Sequence, residues 1–306
     1  MSKKIVVTGA TGLIGESLCK ALIDRGDDIT VFTGSIHKAK LIIKGAKEYI
    51  YWDYNKPGEW ANFLNSKDAV IHLAGASIAG KRWTDSYKET ILESRKVSTQ
   101  KLVQAFESIR QKPEVFISSS ATGYYGNAGD EILTEDSKNG NDFLSLVCRI
   151  WEESAVKAKN FGIRSVSIRT GIALSSDGGA LKQMLLPYKF FMGGHLGSGK
   201  QWFPWIHIAD LIRIYLYALD NPSVNGAVNA VAPGQINAKE FAKCIGKTIH
   251  RPSFFPVPLI ALKLAVGEAA SSIVASQRVI PKKLLDAGFK FKFENVDEAL
   301  KDLLII

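Results

Sequence analysis

Cysteine is scarce in this sequence. The three among 306 residues, Cys19, Cys148 and Cys244, stand far apart and show neither CxxC nor metal-ligand spacing. Such a pattern excludes a disulfide-stapled scaffold, suits buried reduced thiols, and leaves no metal to be expected. Long hydrophobic runs are missing as well. Lys or Glu interrupts every candidate, Pro258 to Ala275 included, so neither a membrane span nor a membrane partner is expected. Only Met1-Ser2-Lys3-Lys4 precedes the first apolar segment, too little for a signal peptide, and the expected location is cytoplasmic. Blocks of five or more like charges are also absent. The net charge of +9, from 39 basic and 30 acidic residues, is scattered along the chain, which favours solvated faces plus an anionic small ligand over nucleic acid.

What the chain does have is the run Ile5-Val6-Val7-Thr8-Gly9-Ala10-Thr11-Gly12-Leu13-Ile14-Gly15, an apolar segment ending in three glycines spaced three apart. A helical pattern with Leu18, Leu22 and Ile23 on one face follows, closed by Arg25-Gly26. Strand, tight turn and helix in that order read as a dinucleotide site: Gly9 turns the chain, Gly12 lets the backbone approach a pyrophosphate, and Gly15 lets helix and strand pack closely. Thr11, Leu13 and Ile14 line the same turn. Asp28 to Phe32 reads as the second strand. Beyond it lies Thr33-Gly34-Ser35-Ile36-His37-Lys38, without the acid that holds adenosine ribose hydroxyls in NAD-preferring folds. Thr33, Ser35, His37 and Lys38 offer hydroxyls and cations instead, so NADP(H) is the preferred cofactor, with NAD(H) as the alternative.

Further strands are expected at Glu48 to Tyr54, at Ala69 to Leu73 ending in Ala74-Gly75, and at Glu114 to Ile117 ending in Ser118-Ser119-Ser120. Small residues at strand ends let backbone pass against a cofactor, and the serine hydroxyls face the expected nicotinamide position. His72, inside an apolar run, reads as a core histidine. Thr84 to Arg110, carrying Arg95, and Asp142 to Phe161 read as helices. Ser165 to Leu174 reads as a sixth strand carrying Arg169-Thr170-Gly171. Gly193 to Asp210 mixes glycines with large aromatics and reads as a loop folded over a pocket, with Gln201, Trp205 and His207 as lining residues.

These residues resemble the extended short-chain dehydrogenase/reductase superfamily, which includes sugar-nucleotide epimerases and dehydratases, over nearly the whole chain. The matching stretches are Thr8 to Gly15, Leu73-Ala74-Gly75, Ser118-Ser119-Ser120, Arg169-Thr170-Gly171 and Trp205 to Leu211. More narrowly, Arg82-Trp83-Thr84, Ser94-Arg95, Trp151-Glu152, Gly197-Ser198-Gly199 and a C-terminal module with Gln277 to Pro281 and Ala287 to Phe291 are similar to the atypical branch of epimerase family proteins. The resemblance implies a Ser or Thr after the fifth strand and a Tyr-x-x-x-Lys pair on the next helix as acid/base and ribose-holding cation. Ser120 fits the first role. At the helix, one register puts Ser145 and Arg149 in those places and another puts Leu144 and Cys148 there, so the dyad is absent in either. Tyr124 and Tyr125 are the candidate substitute proton carriers, Tyr124 being the one taken as catalytic, and Arg95 stands where related enzymes often carry an Asn.

The expected fold is α/β, a doubly wound parallel sheet of Rossmann type over residues 1–174 with some later segments returning to it. Residues 175–306 are expected to form a smaller α/β substrate lobe. Two functions are weighed: an NADP(H)-dependent oxidoreductase or epimerase-like enzyme on a small molecule, and a non-catalytic NADP(H)-binding regulatory protein. A homodimer is the expected assembly.

Overall fold

Strands that read as unbroken apolar runs, such as Ile5-Val6-Val7 and Val115-Phe116-Ile117, need cover on both faces, as in a parallel sheet between two layers of helices. A computed structural model of the protein describes residues 2–56 and 58–305, and Met1, Pro57 and Ile306 lie outside the described residues. In chain order the elements begin with β1 (Lys4–Thr8), α1 (Leu13–Asp24), β2 (Asp28–Thr33), α2 (Ile36–Ile42), β3 (Glu48–Tyr51), β4 (Ala69–His72), α3 (Asp85–Ala105) and β5 (Val115–Ala121). They continue with β6 (Ile132–Leu133), α4 (Phe143–Ala155), β7 (Arg164–Thr170), β8 (Ile172–Leu174), α5 (Gly179–Lys189), β9 (Trp205–His207), α6 (Ile208–Asp220) and β10 (Gly226–Ala230). The last are α7 (Ala238–Thr248), α8 (Leu259–Val266), α9 (Ala269–Ile273), β11 (Arg278–Val279), α10 (Lys282–Asp286) and α11 (Val296–Leu304).

Seven strands form one parallel sheet in the order β10-β7-β5-β4-β1-β2-β3, with β1 pairing both β2 and β4. The order reverses at β1, and the ends of β1 and β4 frame the crevice where such sheets take ligands. Side chains alternate between faces with period two. Ile5, Val7, Ile71 and Ile117 join α1 and α6 in one buried cluster, while Val6, Val70 and Phe116 join Leu102 of α3 and Phe106 just after it in another. Each fully buried aliphatic side chain contributes roughly 1.5–3 kcal/mol, so the two layers hold the strand ends rigidly. Segments beyond residue 174 return to this sheet through α6 and β10. No helix among the described residues is long and apolar enough to cross a membrane.

Several boundaries differ from the sequence reading. β5 runs on through Ala121, so the three serines lie inside the strand. The expected sixth strand is broken at Gly171, where a Cβ would stand 2.4 Å from the Pro204 carbonyl oxygen. The chain leaves the main sheet there, and β8 pairs with β9 in a separate two-stranded sheet. β9 and α6 also replace the end of the expected aromatic loop. The helix expected from Thr84 is shorter, Asp85–Ala105, with the Thr84 hydroxyl capping it. The helix expected to Phe161 ends at Ala155 and continues as a tighter 3-10 turn closed by Gly162 in the left-handed conformation.

Candidate cofactor and active site

The turn after β1 separates its three glycines by what each one faces. Gly9 has φ +68°, and a Cβ on it would lie 2.6 Å from the Leu73 carbonyl carbon. On Gly15 a Cβ would lie 2.3 Å from the Gly9 oxygen. The protein's own backbone therefore requires both. Gly12 is different: its Cβ would meet only the Gly9 oxygen, at 3.4 Å, an ordinary contact. As N-cap of α1 it also supplies no capping side chain, so the first-turn N–H groups beside Thr11, Leu13 and Ile14 keep their positive end toward the crevice. This cradle fits a diphosphate.

A buried chain of hydrogen bonds braces the crevice from beneath. Thr8 Oγ1 lies 2.7 Å from His72 Nδ1 and accepts from the Ala74 N–H at 3.3 Å, while His72 Nε2 lies 3.0 Å from Thr99 Oγ1. Burial, with Arg95 nearby, pushes the His72 pKa down to about 3. His72 is thus a neutral core histidine that fixes the Leu73-Ala74-Gly75 turn. At the far end of the crevice, Ser35 caps α2 by accepting from the Lys38 N–H, and its own N–H donates to Thr33 Oγ1 at 3.1 Å. Ser35, His37 and Lys38 are exposed around that turn.

Arg95 reaches back from α3 to the same crevice. A Cβ on Gly75 would sit 3.1 Å from its Cζ, and the guanidinium lies 5.0 Å over the Trp151 ring. Its Nη1 donates to the Ile91 carbonyl at 3.0 Å. Burial pulls its pKa below the usual arginine value, and no carboxylate stands among the groups that offset this.

On the sheet side of α4 the polar groups form a closed set. Ser120 Oγ donates to Glu152 Oε1 at 2.6 Å, and Arg169 donates to both oxygens of that carboxylate, at 2.9 and 2.8 Å. Arg169 Nη1 further donates to the Tyr125 hydroxyl and the Glu135 carbonyl. With 4 % exposure and four of its five N–H donors spent on Glu152, Tyr125 and Glu135, Arg169 is held by internal partners, and it positions Glu152. Ser118 is held likewise, because its buried hydroxyl donates to the neighbouring Ser119 carbonyl. Tyr125 donates to Asn229 at 2.6 Å, and burial pushes its pKa up to about 12. Tyr124 is half-buried, with its ring 3.5 Å over the Arg169 guanidinium, and its hydroxyl makes no hydrogen bond among the described residues.

Of the two helix registers, Leu144 and Cys148 face the serine. A Cβ on Gly123 would touch Leu144 Cβ at 3.3 Å and Cys148 Sγ at 3.8 Å, whereas Ser145 turns away to donate to Asp142 and Arg149 pairs with Glu153 at the surface. Burial pushes the Cys148 thiol up to about 12, so it carries no proton chemistry near neutral pH.

The three residues expected to line a substrate pocket are all buried. Gln201 donates to the Leu196 carbonyl at 2.7 Å, and Trp205 donates to the Gly234 carbonyl at 2.9 Å. His207 stacks on Phe293 at 3.9 Å, and its Nδ1 accepts from the Ala209 N–H to cap α6. β9, which carries Trp205 and His207, is paired into a sheet rather than looped over the crevice. The residue the sequence reading missed is Glu152. Its signal was Arg169, the register partner of Ser120 on the neighbouring strand, since buried charges are commonly paired.

Residues 5–170, from β1 through β7, match the model of the NAD dependent epimerase/dehydratase family. The chain belongs to that family. Residues 257–303 match a domain of unknown function. The chain is 40 % identical over 303 residues to an epimerase family protein of Staphylococcus haemolyticus, covering 99 % of each. It is 39 % identical over 302 residues to a chloroplastic epimerase family protein of Arabidopsis thaliana, covering 98 % of this chain and 86 % of that one. A crystal structure of the human epimerase family protein SDR39U1 with NADPH superposes with a TM-score of 0.87 at 32 % identity, covering 98 % of each chain.

Proposed function

We propose that this chain binds NADP(H) in preference to NAD(H) and is an oxidoreductase or epimerase-like enzyme acting on a small molecule. The observation that carries the reading is Gly12, whose side-chain position is open to the crevice while Gly9 and Gly15 are closed by backbone. The NADPH in the human relative supports the cofactor. The first turn of α1 would hold the diphosphate, Ser35 and Lys38 would take the 2′-phosphate, and Arg95 would hold further cofactor oxygens beside Gly75. When bound, the cofactor supplies a hydride donor or acceptor. Ser120 donates its hydroxyl hydrogen bond to Glu152, which leaves its oxygen lone pairs to accept from a substrate hydroxyl. Tyr124, the phenol without an internal partner, moves the proton.

NADPH consumption across a panel of carbonyl compounds and nucleotide sugars tests this. Turnover on at least one class is expected, falling about 10²- to 10⁴-fold in Tyr124→Phe with NADPH affinity unchanged. The second reading, a cofactor-binding regulatory protein, is favoured by the inert Cys148 and by Leu144 in the dyad positions. Tight NADPH binding with no turnover across the panel selects it.

A further inference from the structure

A second surface carries chemistry that the crevice does not use. After α5 the chain turns Phe190, Phe191 and Met192 to solvent, with Phe190 72 % exposed. Phe254, 71 % exposed, joins them: its neighbour Phe255 donates its N–H to the Gly193 carbonyl at 3.0 Å, and Arg251 lies 4.4 Å over the Phe191 ring. α8 follows at once, with Ile260 and Leu264 on one face and exposed by 75 % and 74 %. Phe191 holds φ +60°, a costly conformation for a bulky residue, and the strained backbone turns an aromatic ring outward. Contiguous apolar exposure of this kind marks an interaction surface.

Charge identifies the partner. From Gly179 to Lys200, and again from Lys247 to Gly267, there is no Asp or Glu, while Lys182, Lys189, Lys200, Lys247, Arg251 and Lys263 are basic. A second copy of this chain would set these cations against each other. An anionic lipid surface satisfies both the apolar side chains and the cations around them.

We propose that this face lies on an anionic bilayer, with Phe190, Met192, Phe254, Ile260 and Leu264 entering the boundary between headgroups and acyl chains while Lys189, Arg251 and Lys263 meet the headgroups. The absence of a spanning run is compatible with this, since a peripheral surface needs none. The face is fixed to the crevice walls. The start of α5 rests on Leu13, where a Cβ on Gly179 would be 2.9 Å from the leucine, and Glu268 pairs with Lys88 of α3 at 2.8 Å. Docking therefore holds the crevice beside the membrane, whether or not the cofactor reading stands.

Flotation of the full chain with phosphatidylcholine vesicles, with and without phosphatidylglycerol and at low and high salt, tests the proposal. Co-flotation only with the anionic vesicles is expected, weakened by salt. Phe190→Ser with Ile260→Ser lowers the partition about tenfold for each side chain, and Lys189→Glu with Arg251→Glu lowers it as well. All four positions are exposed, and an unchanged melting temperature checks that the variants are folded. No flotation with anionic vesicles overturns the proposal, as does flotation that the serine changes leave intact. A wild-type dimer in ultracentrifugation that the serine changes dissolve, without flotation, gives the surface to a second copy and also overturns it.

Discussion

Ser120 and Arg169 are register partners on β5 and β7, and their side chains meet on one carboxylate, Glu152. The serine donates to one oxygen and the guanidinium spans both, so the orientation of the Ser120 hydroxyl is set by an ion pair on the neighbouring elements.

Removing one partner of this pair strands the other. Arg169→Met leaves a carboxylate mostly buried with a single serine donor, and a loss of about 3–5 kcal/mol is expected in urea unfolding. Glu152→Gln keeps shape and some hydrogen bonding and is expected to cost less. Equal stability of Arg169→Met and the wild type would show that Glu152 is solvated.

The glycines of the first turn are expected to split. Gly15→Ala drives a methyl into the Gly9 carbonyl and costs about 1–3 kcal/mol. Gly12 has φ −86° and ψ 169°, which alanine adopts freely, so Gly12→Ala stays within about 1 kcal/mol of the wild type while weakening cofactor binding. Thermal unfolding and calorimetry on the same two variants check both halves.

His72 makes stability depend on pH. Its folded pKa, pushed down to about 3, lies below the ordinary histidine value of 6.5, so the unfolded state takes up the proton first. Its contribution is whole above pH 6.5 and is lost as pH falls toward the folded value, at about 1.4 kcal/mol per pH unit. In His72→Gln that slope is removed. Urea midpoints measured from neutral pH down to about pH 5, within that window, are expected to fall less steeply in the variant. Parallel slopes would place the histidine's proton elsewhere.

The adjacent tyrosines separate by partner. Tyr125→Phe removes the acceptor of Arg169 Nη1 and the donor to Asn229, at an expected cost of about 1–3 kcal/mol. Tyr124→Phe breaks no hydrogen bond within the described chain and leaves stability unchanged. Chemical denaturation of the two variants side by side reads this difference directly.

Most strands of the main sheet were legible because a doubly covered sheet writes itself as continuous apolar runs, and the glycine spacing in the turn after β1 has few other uses; their order in the sheet was not. The rotation of α4 about its axis was not legible. Counting along the chain left the registers Ser145 with Arg149 and Leu144 with Cys148 equally eligible, and only packing against Gly123 selects Leu144 with Cys148. The internal partners of Arg169, Trp205 and His207 were not legible for a related reason: sequence shows that a polar or aromatic residue lies near a strand end, but not that Glu152, the Gly234 carbonyl or Phe293 has already engaged it.

Calorimetric titration of the cofactor-free protein with NADPH and NADH, repeated on Gly12→Asp and Lys38→Ala, tests the proposed cofactor site most directly. NADPH is expected to bind more tightly than NADH, Gly12→Asp to abolish both, and Lys38→Ala to weaken NADPH about tenfold while sparing NADH. No binding by the wild type, or binding that Gly12→Asp leaves intact, would contradict the site.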